Sequence, residues 1–289
     1  MTIKRSLISS LALGVLTAGA LASTALAAGP RAAAAAAGPV TVAFSGYDWT
    51  VKDPGTTSGP GPNYWSPGNV KVDTTGRLHL KINQRQGHWY CAEVTLDRGL
   101  GYGTYRFSVA SAIGALDPNV VLGLFTWSDD PTQNHRELDV EIARWGNATG
   151  PTNAQYVVQP AGPAGHLTRF TQPSSVTSSV HSFTWLPGSV QFASTAANGS
   201  PIASASYSGA DVPTPGSERV HMNLWLYSGQ APTNGAAVEV TLSGFGFTPA
   251  TPTALAGATT AASLFGGGPL AATALTAPPS PAPSAETAS

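Results

Sequence analysis

The sequence predicts an all-β domain, a sandwich or jelly roll in which one sheet curves to offer a concave face. Three observations support this. Short β-rich runs recur between Gly, Pro, Asn and Asp punctuation, no segment sustains helical periodicity, and residues Glu137-Leu-Asp-Val-Glu141 alternate strictly between acidic and apolar. The expected strands begin with Thr41 to Phe44, Asn69 to Asp73, Arg77 to Ile82 and Tyr90 to Leu96. Gly99, Gly101 and Gly103 then form a Gly-x-Gly-x-Gly run, read as a turn because a strand, Thr104 to Ala110, follows it and no helix N-terminus is available to receive phosphate. Val120 to Trp127, Glu137 to Arg144 and Gln155 to Gln159 come next. After them come His181 to Trp185 and Ser189 to Ala193, with Pro187-Gly188 as a hairpin tip, and then Val220 to Leu226 and Val238 to Phe247.

The ends of the chain read differently. Met-Thr-Ile-Lys-Arg precedes an apolar run from Leu7 to Leu26 that closes on Ala25-Leu26-Ala27, the layout of a secretory signal peptide, so residues 1–27 are expected to be removed and the protein exported. Residues 28–39 are Ala-rich, and residues 250–289 are mostly Ala, Thr, Pro, Ser and Gly, with Glu286 as their one charge; both are expected to be disordered. Residues 40–249 suit one domain with a substantial core. The net charge of −1 and the lack of any Lys/Arg cluster exclude a nucleic-acid or anionic-membrane footprint, so a neutral partner is expected; the protein is also expected to be a monomer, free of the membrane after signal cleavage. Cys91 is the single cysteine, so no internal disulfide forms, and a buried thiol is expected.

In a strand with period two, Glu137, Asp139 and Glu141 share one face while Leu138, Val140 and Ile142 take the other. Arg136 and Arg144 have the parity of the apolar face in a regular strand, so neither neutralises the acids. Closely spaced carboxylates resist ionising together, which lets one keep a proton near neutral pH while another stays charged. A retaining glycosidase needs that division, with its two carboxyl groups roughly 5 Å apart. Two Cα atoms four residues apart on a strand are about 13 Å apart, so the long Glu side chains must lean together over Asp139. The spacing alone leaves open which Glu plays which part. Trp127, Trp145, Trp225 and Tyr227 fall near strand ends around this row, and indole faces pack on the C–H faces of sugar rings.

With these residues in view, the chain resembles family 16 of the glycoside hydrolases, the lichenase and laminarinase group of β-glucanases, over residues 41 to 249. Glu137-Leu-Asp-Val-Glu141 matches the Glu-x-Asp-x-Glu signature. Tyr90-Cys-Ala-Glu93, Gly101 to Phe107, Leu124-Phe-Thr-Trp127, His181 to Gly188 and Met222-Asn-Leu-Trp225 follow the family's order. The resemblance implies a concanavalin-like β-jelly-roll sandwich of two antiparallel sheets with a concave substrate cleft. It implies Glu137 as nucleophile, Asp139 as the residue that tunes it, Glu141 as acid/base, and no metal or organic cofactor. By position it places Glu93, Trp127, Asn223 and Trp225 on the sugar chain; His135, where lichenases carry a Trp, and Trp145 complete the expected binding set. Other departures are Arg136 for an acid, Thr95 for an Arg, Val157 and Gln159 for an Asn and a Tyr, and the loss near Thr241 of the lichenase calcium-binding Asp.

The expected function is that of a secreted retaining endo-glycosidase acting on β-1,3- or mixed β-1,3/1,4-glucan. Neutral glucan is preferred to sulfated galactan because the cleft segments lack clustered Arg and Lys. The alternatives are a non-catalytic carbohydrate-binding jelly roll and a transglycosylase that uses the same residues.

Overall fold

The structure is a computed structural model that describes residues 38–257. The expected signal peptide and most of the expected tail lie outside them. In chain order the strands are β1 (Thr41–Phe44), β2 (Tyr47–Val51), β3 (Tyr64–Trp65), β4 (Val70–Val72), β5 (Leu78–Arg85) and β6 (His88–Leu96). They continue as β7 (Gly103–Val109), β8 (Val120–Trp127), β9 (Leu138–Ala143), β10 (Ala154–Val158) and β11 (Leu167–Phe170). The last are β12 (Ser179–Leu186), β13 (Ser189–Ala196), β14 (Pro201–Ser208), β15 (Arg219–Leu226) and β16 (Val238–Pro249).

Hydrogen bonding runs continuously in the order β11-β10-β9-β8-β15-β6-β5-β16-β7-β12-β13-β14, with β2 also on β6 and β4 on β5. The ladder folds over at β5 and β6. Asn83–Arg85 of β5 pair with His88–Tyr90 of β6, whereas Leu78–Ile82 pair with β16 and Ala92–Thr95 with β15. Every pairing is antiparallel except the short β3–β6 contact. The two layers face each other through a shared core: Tyr156 of β10 stacks on Phe192 of β13 at 5.0 Å, and Trp49 of β2 meets the edge of Phe245 of β16 at 5.2 Å. This is the expected jelly-roll sandwich, made from one folded-over ladder.

In β9 the alternation expected from the sequence is realised, since Leu138, Val140 and Ile142 are buried in the core. Burying three such side chains contributes roughly 5–9 kcal/mol, enough to hold the opposite face of the strand in register whatever it carries. The glycine run is a turn, and Gly103 opens β7 where a Cβ would lie 2.4 Å from Thr248 O. Pro187-Gly188 closes the β12–β13 hairpin, and Cys91 is a buried free thiol.

Four strands were not expected. β3 has two residues and β11 four, too short for periodicity to register. β14 is an edge strand of Pro, Ser and Ala with one Ile and one Tyr, a composition that reads as loop until a neighbour supplies hydrogen bonds. β2 follows β1 after Ser45-Gly46, both at positive φ, a two-residue hairpin turn whose Ser in the first position hides it from a Gly-based rule. Residues 252–257, in the segment expected to be disordered, form a helical turn with the Thr251 hydroxyl accepting from Ala254 N–H.

Candidate active site

Antiparallel register turns the outward residues of β9 into rows across one sheet. Glu141 lies opposite Gly123 of β8 and Gln155 of β10; Gly123 lies opposite Asn223 of β15, and Asn223 opposite Glu93 of β6. One step along, Asp139 lies between Phe125 and Val157, followed by His221 and Thr95. Glu137 immediately precedes β9, and its carbonyl accepts from Gln159 N–H. Glu93, the acidic triplet and Asn223 therefore share one face of one sheet, though Glu93 and Asn223 lie 130 residues apart in the chain.

Gly123 is needed in the first row. A Cβ there would sit 2.5 Å from Asn223 Oδ1, the atom that accepts from Gly123 N–H at 3.1 Å. Asn223 is buried and also points Nδ2 at Glu93 Oε2 (3.4 Å), so it bridges the middle of the row to its end.

The triplet has little compensation. Burial, and then the charge of Glu141, raise the Glu137 carboxyl above its ordinary value, opposed by a hydrogen bond with Asp139. Asp139 is raised well above its ordinary value by burial and by both glutamates, against one hydrogen bond from Gln159 Nε2 to Oδ2 at 3.2 Å. Glu141 is raised by burial, opposed by Gln155 Nε2 donating to Oε2 at 2.6 Å and by the charge of Arg169 on β11. Asp139, the most enclosed of the three and raised by both neighbours, is the carboxyl placed to hold a proton toward Glu137, the splitting that clustered carboxylates require. The two glutamines differ. Gln155 Oε1 is buried without a partner, whereas Gln159 Oε1 accepts from Ala161 N–H at 3.1 Å.

Glu93 is the opposite case. Burial would raise its carboxyl, but Lys52 at 3.3 Å, His221 at 2.9 Å and Asn223 outweigh it and hold the group at about 2. A cavity of about 730 Å³ opens here, lined by Lys52, Arg98 and Arg219 and by Glu93, Asp97 and Asp129, with Trp127 and His221. The expectation that the cleft carries no clustered Arg and Lys is thus corrected, because β2, the β6–β7 turn and β15 bring three cations together. Three carboxylates balance them.

The approach to Glu137 also departs from expectation. Gln133, Asn134, His135 and Arg136 all have positive φ (54, 51, 60 and 53°), a left-handed turn that costs L-residues roughly 1–2 kcal/mol each. The regular-strand parity assigned to Arg136 therefore does not apply. Its buried guanidinium reaches Asp130 Oδ2 at 3.0 Å and Thr214 O at 3.1 Å, and His135 stacks on Trp127 at 3.9 Å with 8° between planes. These contacts hold the strained turn and with it the start of β9. Arg144 donates to Gly150 O, away from the acids. On the far side of Glu141, Trp145 meets Trp225 and Tyr227 edge-on at 6.0 and 5.6 Å. Of the expected sugar-binding residues, Glu93, Trp127 and His135 gather at the cavity side, Trp145 and Trp225 at the other, and Asn223 between them.

Sequence reasoning did not assign Lys52, Arg169, Arg219, His221 or Gln155 to the site. Only strand register brings them there.

The fold has counterparts among solved structures. The Bacillus licheniformis beta-glucanase superposes with a TM-score of 0.54 at 20% identity, over 75% of this chain and 100% of that one. A Bacteroides ovatus mixed-linkage-glucan GH16 protein in complex with its G4G4G3G product gives 0.51 at 12% identity, over 69% and 94%. The chain has the fold of the family 16 glycoside hydrolases. An immunostimulatory antigen and pseudo beta-1,3-glucanase of Mycobacterium tuberculosis shares that family 16 fold, with a TM-score of 0.54 at 19% identity over 70% of this chain and 91% of that one. No family model matches the chain, and no curated protein matches it in sequence.

Proposed function

We propose that the protein is a secreted, retaining endo-β-glucanase acting on β-1,3- or mixed β-1,3/1,4-glucan. The observation that carries this reading is the row Glu137-Asp139-Glu141, in which a buried aspartate, raised well above its ordinary value, lies between two half-buried glutamates on an open sheet face. A binding surface has no need of like charges held together, and holding them is destabilising. Glu137 attacks the anomeric carbon while Glu141 protonates the leaving oxygen, giving a glycosyl ester on Glu137. Glu141, now ionised, takes a proton from water as the water breaks that ester. Asp139 donates to Glu137 and so opposes the effect of burial, favouring the ionised nucleophile.

The cavity's matched charges support a neutral polysaccharide, since a polyanion would meet as many carboxylates as cations. Aromatic faces at both ends of the row suit a chain that extends past the reacting bond on each side, the requirement for endo cleavage. The product complex of the Bacteroides ovatus protein supports a mixed-linkage chain as ligand. The signal-peptide layout of residues 1–27 supports export, which is checked by N-terminal sequencing of secreted protein.

The likeness to a pseudo-glucanase favours a second reading, glucan binding without turnover. Reducing-end release on laminarin, barley glucan, lichenan, xyloglucan, curdlan, agarose and carrageenan decides between them, with Glu137→Gln as the blank. Release that depends on Glu137 supports the enzyme; binding with no release by folded wild-type protein supports the second reading.

A further inference from the structure

Gln159 stands just past β10, and three bonds fix it. Its N–H donates to Glu137 O at 3.2 Å, its Oε1 accepts from Ala161 N–H, and its Nε2 donates to Asp139 Oδ2. A backbone N–H can only donate, so Ala161 decides which end of the amide faces Asp139, and the amide cannot turn over. The carbonyls of the two residues flanking Gln159 are held by one buried ring. His166 Nδ1 lies 2.9 Å from both Val158 O and Pro160 O, and Val158 N–H donates to His166 O. His166 Nε2 is 3.0 Å from Asp211 Oδ2, and Asp211 Oδ1 accepts from Tyr207 OH, which anchors the ring to the loop after β14.

An N–H aimed at Oδ2 repels a carboxyl proton from that oxygen and leaves Oδ1 to carry it. The charged groups around Asp139 are Glu137 and Glu141; β10 presents Val157, β8 presents Phe125, and Arg169 of β11 acts on Glu141. Of these, Glu137 alone hydrogen-bonds the Asp139 carboxyl, as the acceptor of its proton, and Gln159 is the only donor that marks one of the two oxygens. We propose that Gln159 is a positioning residue that confines the Asp139 proton to Oδ1, and that His166 acts through Gln159 by clamping the carbonyls on both sides of it. Gln155, whose Oε1 is unpartnered, has no such lock and can present either end of its amide to Glu141.

The proposal deepens the glucanase reading and rests on it for its kinetic consequence, but its physical content is tested without turnover. Infrared spectra of the wild-type protein at neutral pH are compared with those of Asp139→Asn, Gln159→Met and, as a second route should Gln159→Met not fold, His166→Gln. The expected result is a protonated-carboxyl band that vanishes in Asp139→Asn and moves to higher frequency in Gln159→Met and His166→Gln, where the bond to the carboxyl carbonyl is lost or weakened. In active protein, Gln159→Met also moves the acid limb of kcat/KM to higher pH, because a proton free to move to Oδ2 no longer supports ionised Glu137, while KM changes less than kcat. A band missing from the wild type, or one at the same frequency in folded Gln159→Met, overturns the proposal. Silence on every glucan with the band shift intact counts against the enzyme reading and supports the lock.

Discussion

Replacing Lys52 by Met tests how the cleft holds a buried charge. Lys52 Nζ lies 3.3 Å from Glu93 Oε2, donates to Gly59 O at 2.7 Å and sits 4.5 Å from the centre of the Trp65 ring, while Glu93 is only 4% exposed. Holding that carboxyl at about 2 in place of its ordinary 4.5 corresponds to roughly 3 kcal/mol of stability from its ionised form, and removing one partner of a buried pair costs about the same. The sign follows from linkage. A depressed carboxyl stabilises the fold fully above about 4.5, and the contribution is lost as pH falls through about 2. Lys52→Met should therefore lower Tm at pH 7 by roughly 6–12 °C for a domain of this size. The gap to wild type should narrow steadily between pH 4.5 and 2. Thermal unfolding followed by circular dichroism from pH 2 to 8 measures this. A Tm within a degree of wild type at pH 7, or a gap as wide at pH 2 as at pH 7, refutes the reasoning.

The triplet gives the opposite dependence. Because Glu137 and Glu141 are raised by burial, Glu137→Gln or Glu141→Gln should raise Tm above neutral pH, with the gain gone below about pH 4, where the carboxyls are protonated in folded and unfolded chains alike; equal or lower Tm at pH 8 argues against a destabilising row. Gln155→Met removes a donor to ionised Glu141 and should move the alkaline limb of kcat/KM to higher pH, measured on whichever glucan is cleaved; an unmoved limb rules out Glu141 as the acid. Gly123→Ala forces Asn223 from Glu141's row and should lower kcat/KM by about tenfold or more, on the scale of the loss of a well-placed contact, with Tm reduced by a few degrees; full activity would show that the close approach is not needed.

What the sequence made legible was whatever depends on period alone. Leu138, Val140 and Ile142 fix the face of β9, and the acids follow by parity. Arg136 shows the limit, because its parity presumed a regular strand and the chain instead enters Glu137 through four left-handed residues, of which only Asn134 and His135 are of types enriched in that region. Gln155 and, one residue past the end of β10, Gln159 have the same period-two parity, but their facing Glu141 and Asp139 requires the β9–β10 register, which a sequence does not state. Lys52, Arg98 and Arg219 lie far apart along the chain, so their convergence depends on β2, β6 and β15 being neighbours. β14 was hidden for the complementary reason, that an edge strand of Ser and Ala takes its structure from β13.

The most direct test of the central claim is the anomeric configuration of the first product, followed by proton NMR during early cleavage of lichenan or laminarin by the mature protein, with Glu137→Gln alongside. The account predicts β-configured reducing ends that mutarotate only later, and none from the variant. Initial α-configured product, undiminished cleavage by Glu137→Gln, or no product from any glucan by folded wild-type protein would contradict it.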